Sequence, residues 1–415
     1  MRFCVDKNVE EVYNEYKSIQ KYTRLFKVYK KAQSIQLSKP QNHRSAVAKE
    51  DNVRNPYNPS FGLRPERFLG RELIINEIEN VSDNMNSPWR TTLLTGVRGS
   101  GKTAILSDLQ RRFKEKNAIV VLTTPVEGFL DDVLGQIHRQ LPSSFVSKLP
   151  KLSRINTGLG ASFDIEDKEN VPSFTSTFRY QITTMLEEIV KRKIKLVILI
   201  DEVQKHSSEM RIFVATYQQL LMEGFEIFLV TAGLPNAIKD ILNDKILTFF
   251  RRSMQITLDY VDFSIVKHDY HEMFAAKYNN IDVNIVDKMA LSTKGYPYLI
   301  QLVGYYMWET LEKEKDAEKA YEHSMVQVMP ALFTNVHELI YSELSNADKS
   351  FVEAMAEDVK KSKISDIAMR LDKDKSYMSR YRGRLIASGV IKAVGHGELA
   401  FGIPYMREFI LREKY

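Results

Sequence analysis

The sequence predicts an α/β fold: a parallel sheet with helices on both faces, then an all-helical segment, then a C-terminal winged helix-turn-helix. Three observations predict it. Between residues 91 and 258, short apolar β-rich runs alternate with helical stretches, as in buried parallel strands joined by crossover helices. From Phe263 to Leu344 the periodicity is helical throughout. After Asn346, helices give way to short strands around Gly395-His396-Gly397.

The strands of the sheet are read at 91–95, 118–124, 195–200, 226–230 and 254–258. The helices between them are read at 102–116, 129–140, 174–191 and 211–222. One segment interrupts this order. Residues 153–166 (SRINTGLGASFDIE) read as a hairpin turning at Gly158-Leu159-Gly160, either a ligand-facing insertion or a decorative loop. Upstream, residues 9–33 form a helical pattern with Tyr, Ile, Leu and Val on one side and Lys/Arg on the other. Residues 36–65, with Pro40, Pro56, Pro59 and Pro65, read as a linker or extended arm. The expected units are a basic arm and linker (1–55), a core (56–260), a helical segment (261–344) and the C-terminal module (345–415).

With 415 residues the chain is too long for one core. Its one cysteine, Cys4, rules out an intrachain disulfide and a cysteine-based metal cluster, and fits a reducing cytoplasm. Charged residues near the N-terminus do not read as a signal peptide, and no apolar run is long enough to span a membrane. Net charge is +6. Residues 1–50 hold eleven Lys/Arg against five Asp/Glu, and residues 346–415 hold fourteen against ten. Basic ends around a slightly acidic middle are expected if the ends touch a polyanion such as DNA; solvated surfaces give the same count.

Four motifs carry chemistry. Gly96-Val97-Arg98-Gly99-Ser100-Gly101-Lys102-Thr103 fits G-x-x-x-x-G-K-[ST], with a strand entering and a helix leaving. Glycines let backbone N–H groups turn inward around phosphates, and the helix N-terminus adds positive potential. Lys102 is expected to reach the β- and γ-phosphates of ATP, and the Thr103 hydroxyl to ligate Mg²⁺. The apolar run 196–200 ends in Asp201-Glu202. A carboxylate there holds Mg²⁺, and Glu202 is placed to polarise the attacking water. The strand at 226–230 leads into Thr231, whose hydroxyl is expected at the γ-phosphate or the water. Arg251 and Arg252 follow Phe249-Phe250, where an arginine can reach a neighbouring subunit's nucleotide.

These residues together resemble an AAA+ ATPase, in the branch of origin-recognition initiators and their bacterial relatives. Pro65-Glu66-Arg67-Phe68-Leu69-Gly70-Arg71-Glu72 is similar to the segment that wraps adenine in that family, which implies base contacts from Phe68 and Leu69. Thr231-Ala232-Gly233, Arg251/Arg252 and Ile256-Thr257-Leu258-Asp259-Tyr260 follow in the family's order. Asn55-Pro56-Tyr57-Asn58-Pro59-Ser60-Phe61-Gly62 also resembles the bacterial relatives. The resemblance, over residues 56–415, implies a P-loop AAA+ sheet, a helical lid and a switch operated by ATP and ADP. It also implies DNA, and a homo-oligomer or partner protein, as partners, with roles in replication, mobile elements or defence. Gly295-Tyr296-Pro297-Tyr298-Leu299-Ile300-Gln301 falls in the lid helix where the family usually has an arginine on the γ-phosphate. Here Tyr298 takes about that position, which implies slow hydrolysis. The resemblance does not explain the 1–50 arm.

In the C-terminal module, helices are read at 347–357 and 364–371, a turn at 372–375 and a recognition helix at 376–388 with Ser376 as N-cap. A hairpin follows from Gly389 to Phe401. Helix-turn-helix modules insert the start of the second helix into the major groove. Lys373, Lys375, Ser376, Tyr377, Arg380, Tyr381 and Arg384 are therefore the candidate DNA contacts. The competing reading is a STAND-type switch, a nucleotide-holding monomer whose winged helix packs on the ATPase core and contacts protein instead of DNA.

Overall fold

The computed structural model describes residues 54–60, 62, 65–81, 84, 86–143, 177–203, 208–244, 248–278 and 281–414. The helix expected at 9–33, most of the 36–65 linker and the hairpin expected at 153–166 lie outside these residues.

Helix α1 (Glu72–Asn80) precedes strand β1 (Thr91–Thr95), which leads into α2 (Lys102–Glu115). Then come β2 (Ile119–Thr123), α3 (Phe129–Gln140), α4 (Phe178–Lys191), β3 (Leu196–Ile200), α5 (Ser208–Met222), β4 (Ile227–Gly233), α6 (Pro235–Asn243) and β5 (Met254–Thr257). The five strands form one parallel sheet in the order β2-β3-β4-β1-β5. Every residue of β3 and β4 is buried, because helices cover both faces. Side-chain alternation sorts the strands between two apolar layers. Ile198 and Leu229 point toward α3, α4 and α5, while Leu199 and Val230 point toward α1 and α2.

The sheet places the site through β1 and β3. Both end on the same edge, one feeding the loop before α2 and the other presenting Asp201, with β4 between them. β4 runs on to Gly233, three residues beyond the expected end, because the backbone of Thr231 to Gly233 pairs in register with Leu93 to Thr95.

Beyond the sheet stand α7 (Phe263–Lys277), α8 (Val283–Thr293), α9 (Pro297–Leu311), α10 (Ala317–Leu332) and α11 (Glu338–Ser342). Between α10 and α11 the helix widens into a π-turn, Phe333–His337. The C-terminal module holds α12 (Asn346–Ala356), β6 (Ser362–Lys363), α13 (Ile364–Leu371), α14 (Lys375–Ala387), β7 (Ile391–Gly395), β8 (Glu398–Phe401) and α15 (Met406–Lys414). Its three strands pair antiparallel in the order β6-β8-β7, the helix-turn-helix-plus-wing arrangement expected.

The N-cap of α14 is Asp374, not Ser376. Its carboxylate accepts the Tyr377 amide at 2.8 Å, two residues earlier than expected, because the chain turns at Asp372 in the left-handed region (φ 50°). Helix α15 had no counterpart in the sequence reading; it buries Met406, Phe409 and Ile410 against α12.

The lid helices and the C-terminal module share one continuous apolar cluster, running from Phe274 and Trp308 through Val328 to Phe351, Leu385 and Phe409. Tyr57, from the segment before the sheet, belongs to it. Its ring stacks on Phe274 (5.8 Å between centroids) and meets Tyr270 edge-on (5.5 Å). Gly304 makes room for this ring, since a Cβ there would lie 2.5 Å from it. No helix among the described residues is long and apolar enough to cross a membrane.

Candidate nucleotide site

The β1–α2 loop curls because its glycines adopt what other residues resist. Gly99 (φ 71°) and Gly101 (φ 92°) are left-handed, and Gly101 caps α2. A side chain at Gly99 would meet the Tyr296 hydroxyl at 2.3 Å, so the loop can approach the lid only as glycine. Tyr296, fully buried, donates its hydroxyl to the Arg98 carbonyl at 2.5 Å.

Lys102 lies along the loop and donates to the carbonyls of Gly96 (2.7 Å) and Val97 (2.9 Å). Burial pushes its ammonium down to about 8, against the opposing pull of Asp201 and Glu202. The Thr103 hydroxyl donates to Asp201 Oδ2 at 2.6 Å. Asp201 is held from behind, its amide donating to the Thr123 carbonyl at 2.9 Å. Glu202 is exposed and sits in the left-handed region (φ 52°), its amide donating to Asp201 Oδ1 at 2.9 Å. A non-glycine residue so placed is strained, as residues at functional sites often are.

These groups open on a cavity of about 1010 Å³ between sheet and lid. Arg98 to Thr103, Asp201, Glu202, Phe68, Leu69 and Tyr298 all line it. The residues fit a nucleotide with Mg²⁺. A hydroxyl and a carboxylate, both hard oxygen donors, meet at the start of α2. Ser100 Oγ is buried in the loop with no hydrogen-bond partner among the described residues. Among those residues no cluster of three or more His, Cys, Asp or Glu could hold a metal by itself. Mg²⁺ commonly uses one or two carboxylates plus substrate phosphates instead.

Other predicted residues lie elsewhere. Gly96 and Val97 stand outside the cavity lining. Thr231 is fully buried inside β4, within 3.5 Å of the Thr92 carbonyl, and does not reach the cavity. Arg251 and Arg252 are exposed in a short 3-10 turn (Thr248–Arg252) away from the cavity, with Arg251 Nε donating to the Leu242 carbonyl at 2.7 Å. Residues the sequence did not single out as ligand contacts line it too: Arg71, Gln301, Asn236 and Asn335. Arg71 and Gln301 stood inside the quoted family segments. Asn236 follows Pro235 at the start of α6. Asn335 left no signal, because a π-turn reads as plain helix.

On the C-terminal module, Lys373, Lys375, Ser376 and Arg380 are exposed, while Tyr377 and Tyr381 are half-buried with ring centroids 4.2 Å apart. Arg384 is committed to structure. It meets buried Asp348 through two hydrogen bonds (3.0 and 2.5 Å) and Ser345 Oγ at 2.8 Å. The module also touches the core. Helix α14 packs against α6, Gly389 against Val97, and the Tyr260 hydroxyl donates to the Gly402 carbonyl. Arg98 pairs with Glu343, at the end of the lid, at 2.6 Å.

Residues 67–229 match the AAA ATPase domain family. The chain carries an AAA ATPase domain. That domain holds the whole β1–α2 loop, Asp201 and Glu202, so the match and the geometry describe one site. Residues 334–410, from the π-turn to α15, match a domain of unknown function (DUF8462). No curated protein matches the chain. Solved structures similar to it include a Walker-type ATPase of Pyrococcus abyssi (TM-score 0.57, 14% identity, 87% of this chain and 99% of that one). Also similar are Cdc6p of Pyrobaculum aerophilum (TM-score 0.45, 16% identity, 89% and 100%) and the ORC2 protein of Aeropyrum pernix (TM-score 0.41, 13% identity, 86% and 97%). The first of these likenesses shows the fold alone: the chain shares the fold of that Walker-type ATPase over 87% of its length.

Proposed function

We propose that the chain is an ATP-hydrolysing, DNA-binding switch whose nucleotide state governs its assembly on DNA or with a partner. The observation that carries this reading is the 2.6 Å contact between Thr103 and Asp201, at the mouth of a cavity walled by the lid. It joins two motifs 98 residues apart into one hard-oxygen site.

In this reading the loop amides and Lys102 hold the phosphates, and Phe68 and Leu69 border the base. Thr103 and Asp201 would hold Mg²⁺, which neutralises phosphate charge and orients the γ-phosphate. Glu202, exposed beside them, orients and deprotonates the attacking water. Arg251 and Arg252, exposed and outside the cavity, are available to a neighbouring subunit's site. With a tyrosine in place of the lid arginine, hydrolysis is slow. The proposed units are the core 56–260, the lid 261–344 and the winged helix 345–415, preceded by a basic arm. Lys373, Lys375, Ser376, Tyr377, Arg380 and Tyr381 form the DNA face, in the cytoplasm where ATP and DNA meet.

The second reading, a STAND-like nucleotide switch, is favoured by one observation: the C-terminal module rests on the tip of the P-loop through Gly389 and Val97. A module docked there is released or held according to the loop's shape, and its output is a protein contact.

DNA binding by fluorescence anisotropy, with ATP, with ADP and without nucleotide across a salt series, separates the two. The variants are Lys102→Ala and Arg380→Glu. Because lid and module share a core, point changes are the sound test and truncation is not. ATP-dependent, salt-sensitive binding lost in both variants supports the first reading. No DNA binding in any state, with a monomer in light scattering, moves the assignment to the second.

A further inference from the structure

We propose that the paired rings of Tyr377 and Tyr381 are a stacking platform for unpaired bases, so that the C-terminal module takes single-stranded DNA in preference to a duplex. The inference rests on the DNA-binding reading and deepens it by naming the form of DNA.

The two tyrosines lie one turn apart on α14, so their side chains share a face. Their ring centroids are 4.2 Å apart, with the planes tilted by 39°. Both residues are half-exposed, and neither hydroxyl has a hydrogen-bond partner among the described residues. Tyr405, in the same module, is different: its hydroxyl donates to the Ser292 carbonyl at 2.7 Å. Cations flank the pair. Lys373 Nζ lies 5.8 Å from the centre of the Tyr377 ring, and the guanidiniums of Arg380 and Arg384 lie 5.8 and 4.8 Å from that of Tyr381. Asp348 neutralises Arg384. Lys373, Lys375 and Arg380 are exposed and pair with no acid among the described residues. Aromatic faces beside unpaired cations are what a single strand needs: bases stack on the rings while the phosphates follow the charge. In a duplex those base faces are already stacked on one another, and only their edges are offered in the groove.

The surroundings of α14 point the same way. The major groove is about 12 Å wide, room for one helix with its side chains. Helix α14 packs against α12, α13 and β7 of its own module and also against α6 of the ATPase core. It can enter a groove only if the module first leaves the core, whereas a single strand needs only the exposed strip. The tip of the helix adds to this. Asp372 and Asp374 are both exposed there, and they repel phosphate at the end that a groove-reading helix inserts.

The test measures anisotropy of three labelled probes on the full chain, with Mg·ATP, with ADP and without nucleotide. The probes are oligo(dT) of about twenty nucleotides, its abasic counterpart with the same phosphates, and a duplex of the same length. Wild type should bind oligo(dT) at least about tenfold more tightly than either of the others. Tyr377→Leu and Tyr381→Leu keep an apolar side chain on the helix and should melt within a few degrees of wild type. Each should lose about tenfold for oligo(dT) and less than about twofold for the abasic strand, where nothing can stack. The double Tyr377→Phe, Tyr381→Phe variant keeps both rings and should bind oligo(dT) as wild type does. Equal wild-type affinity for oligo(dT) and the abasic strand would overturn the platform, and that comparison needs no variant. So would tighter binding to the duplex, or wild-type affinity for oligo(dT) in both leucine variants. If no probe binds in any nucleotide state, the DNA-binding reading itself fails, and the platform falls with it.

Discussion

Val97 Cγ1 lies against the backbone of Gly389, close enough that a Cβ on Gly389 would fall 2.5 Å away. One residue sits at the tip of the P-loop, the other just beyond α14, and Gly389 is left-handed at φ 78°. Gly389→Ala is therefore opposed twice, by its own backbone and by Val97. We expect a loss of about 1–3 kcal/mol and faster exchange at residues 389–402, read by denaturant unfolding and hydrogen exchange. Unchanged stability and exchange would mean that the module does not rest on the loop in solution.

Thr103 and Asp201 should act as a unit. Thr103→Val keeps the volume but removes the hydroxyl. Asp201→Asn keeps the shape but removes the charge. Either should lower ATP hydrolysis at least about a hundredfold, while Thr103→Ser retains most of it. Phosphate release under saturating Mg·ATP decides. Full activity in Asp201→Asn would remove Asp201 from the metal role.

Lys102 gives a pH signature. Its ammonium is pushed down to about 8 by burial, and only the charged form attracts phosphate. As pH rises past 8 the free protein must take up a proton to bind, so affinity falls. The limit is about tenfold per pH unit. Lys102→Arg, charged at every accessible pH, should flatten the profile between pH 7.5 and 10 even if it binds less tightly. A flat wild-type profile would exclude a titrating lysine.

His337 is fully buried and pushed down to about 4, mainly by burial. The Leu332 and Pro404 carbonyls pull the other way, and Arg412 adds to the lowering. The unfolded chain then binds the proton more readily than the native one. Stability is complete above the ordinary value of 6.5 and is lost as pH falls from there toward 4, by up to ~3 kcal/mol. His337→Gln should be less stable at pH 8 and lose less between pH 6.5 and 4.5, measured by urea unfolding.

Two arginines on one helix should part company. Arg384 neutralises buried Asp348, so Arg384→Ala should cost about 1–3 kcal/mol of stability. Arg380 is exposed with its guanidinium near the Tyr381 ring (5.8 Å). Arg380→Ala should leave the melting temperature alone and weaken DNA binding uniformly across sequences, with a shallower salt slope. The reverse pattern would exchange their roles.

Much of this was legible in advance. The strands β1 and β3, the loop between them and α2, and the acidic pair after β3 are local signals, and each lies within a residue or two of its expected place. The helix-turn-helix was legible because α13 keeps one apolar face. What stayed hidden depends on pairing across the chain. Thr231 looks like a strand tip until its neighbours extend β4 past it. Arg384 looks like one more exposed base on a basic helix until Asp348, 36 residues away, claims it. Asn335 is hidden because a widened turn leaves the apolar spacing of its helix almost unchanged.

Tyr57 sets a rule for where this molecule can be cut or joined. Its hydroxyl donates to buried Asp269 at 3.2 Å, and Arg67 pairs with the same carboxylate, also at 3.2 Å. Two points upstream of the sheet are thus riveted to one side chain of α7, and the lid is threaded onto the chain from both ends. A protein engineer who transplants residues 261–344 alone would carry away a socket without its plug. A protease that clips just after Tyr57 would leave the ring in place by contacts alone, free to dissociate and take the lid's shape with it.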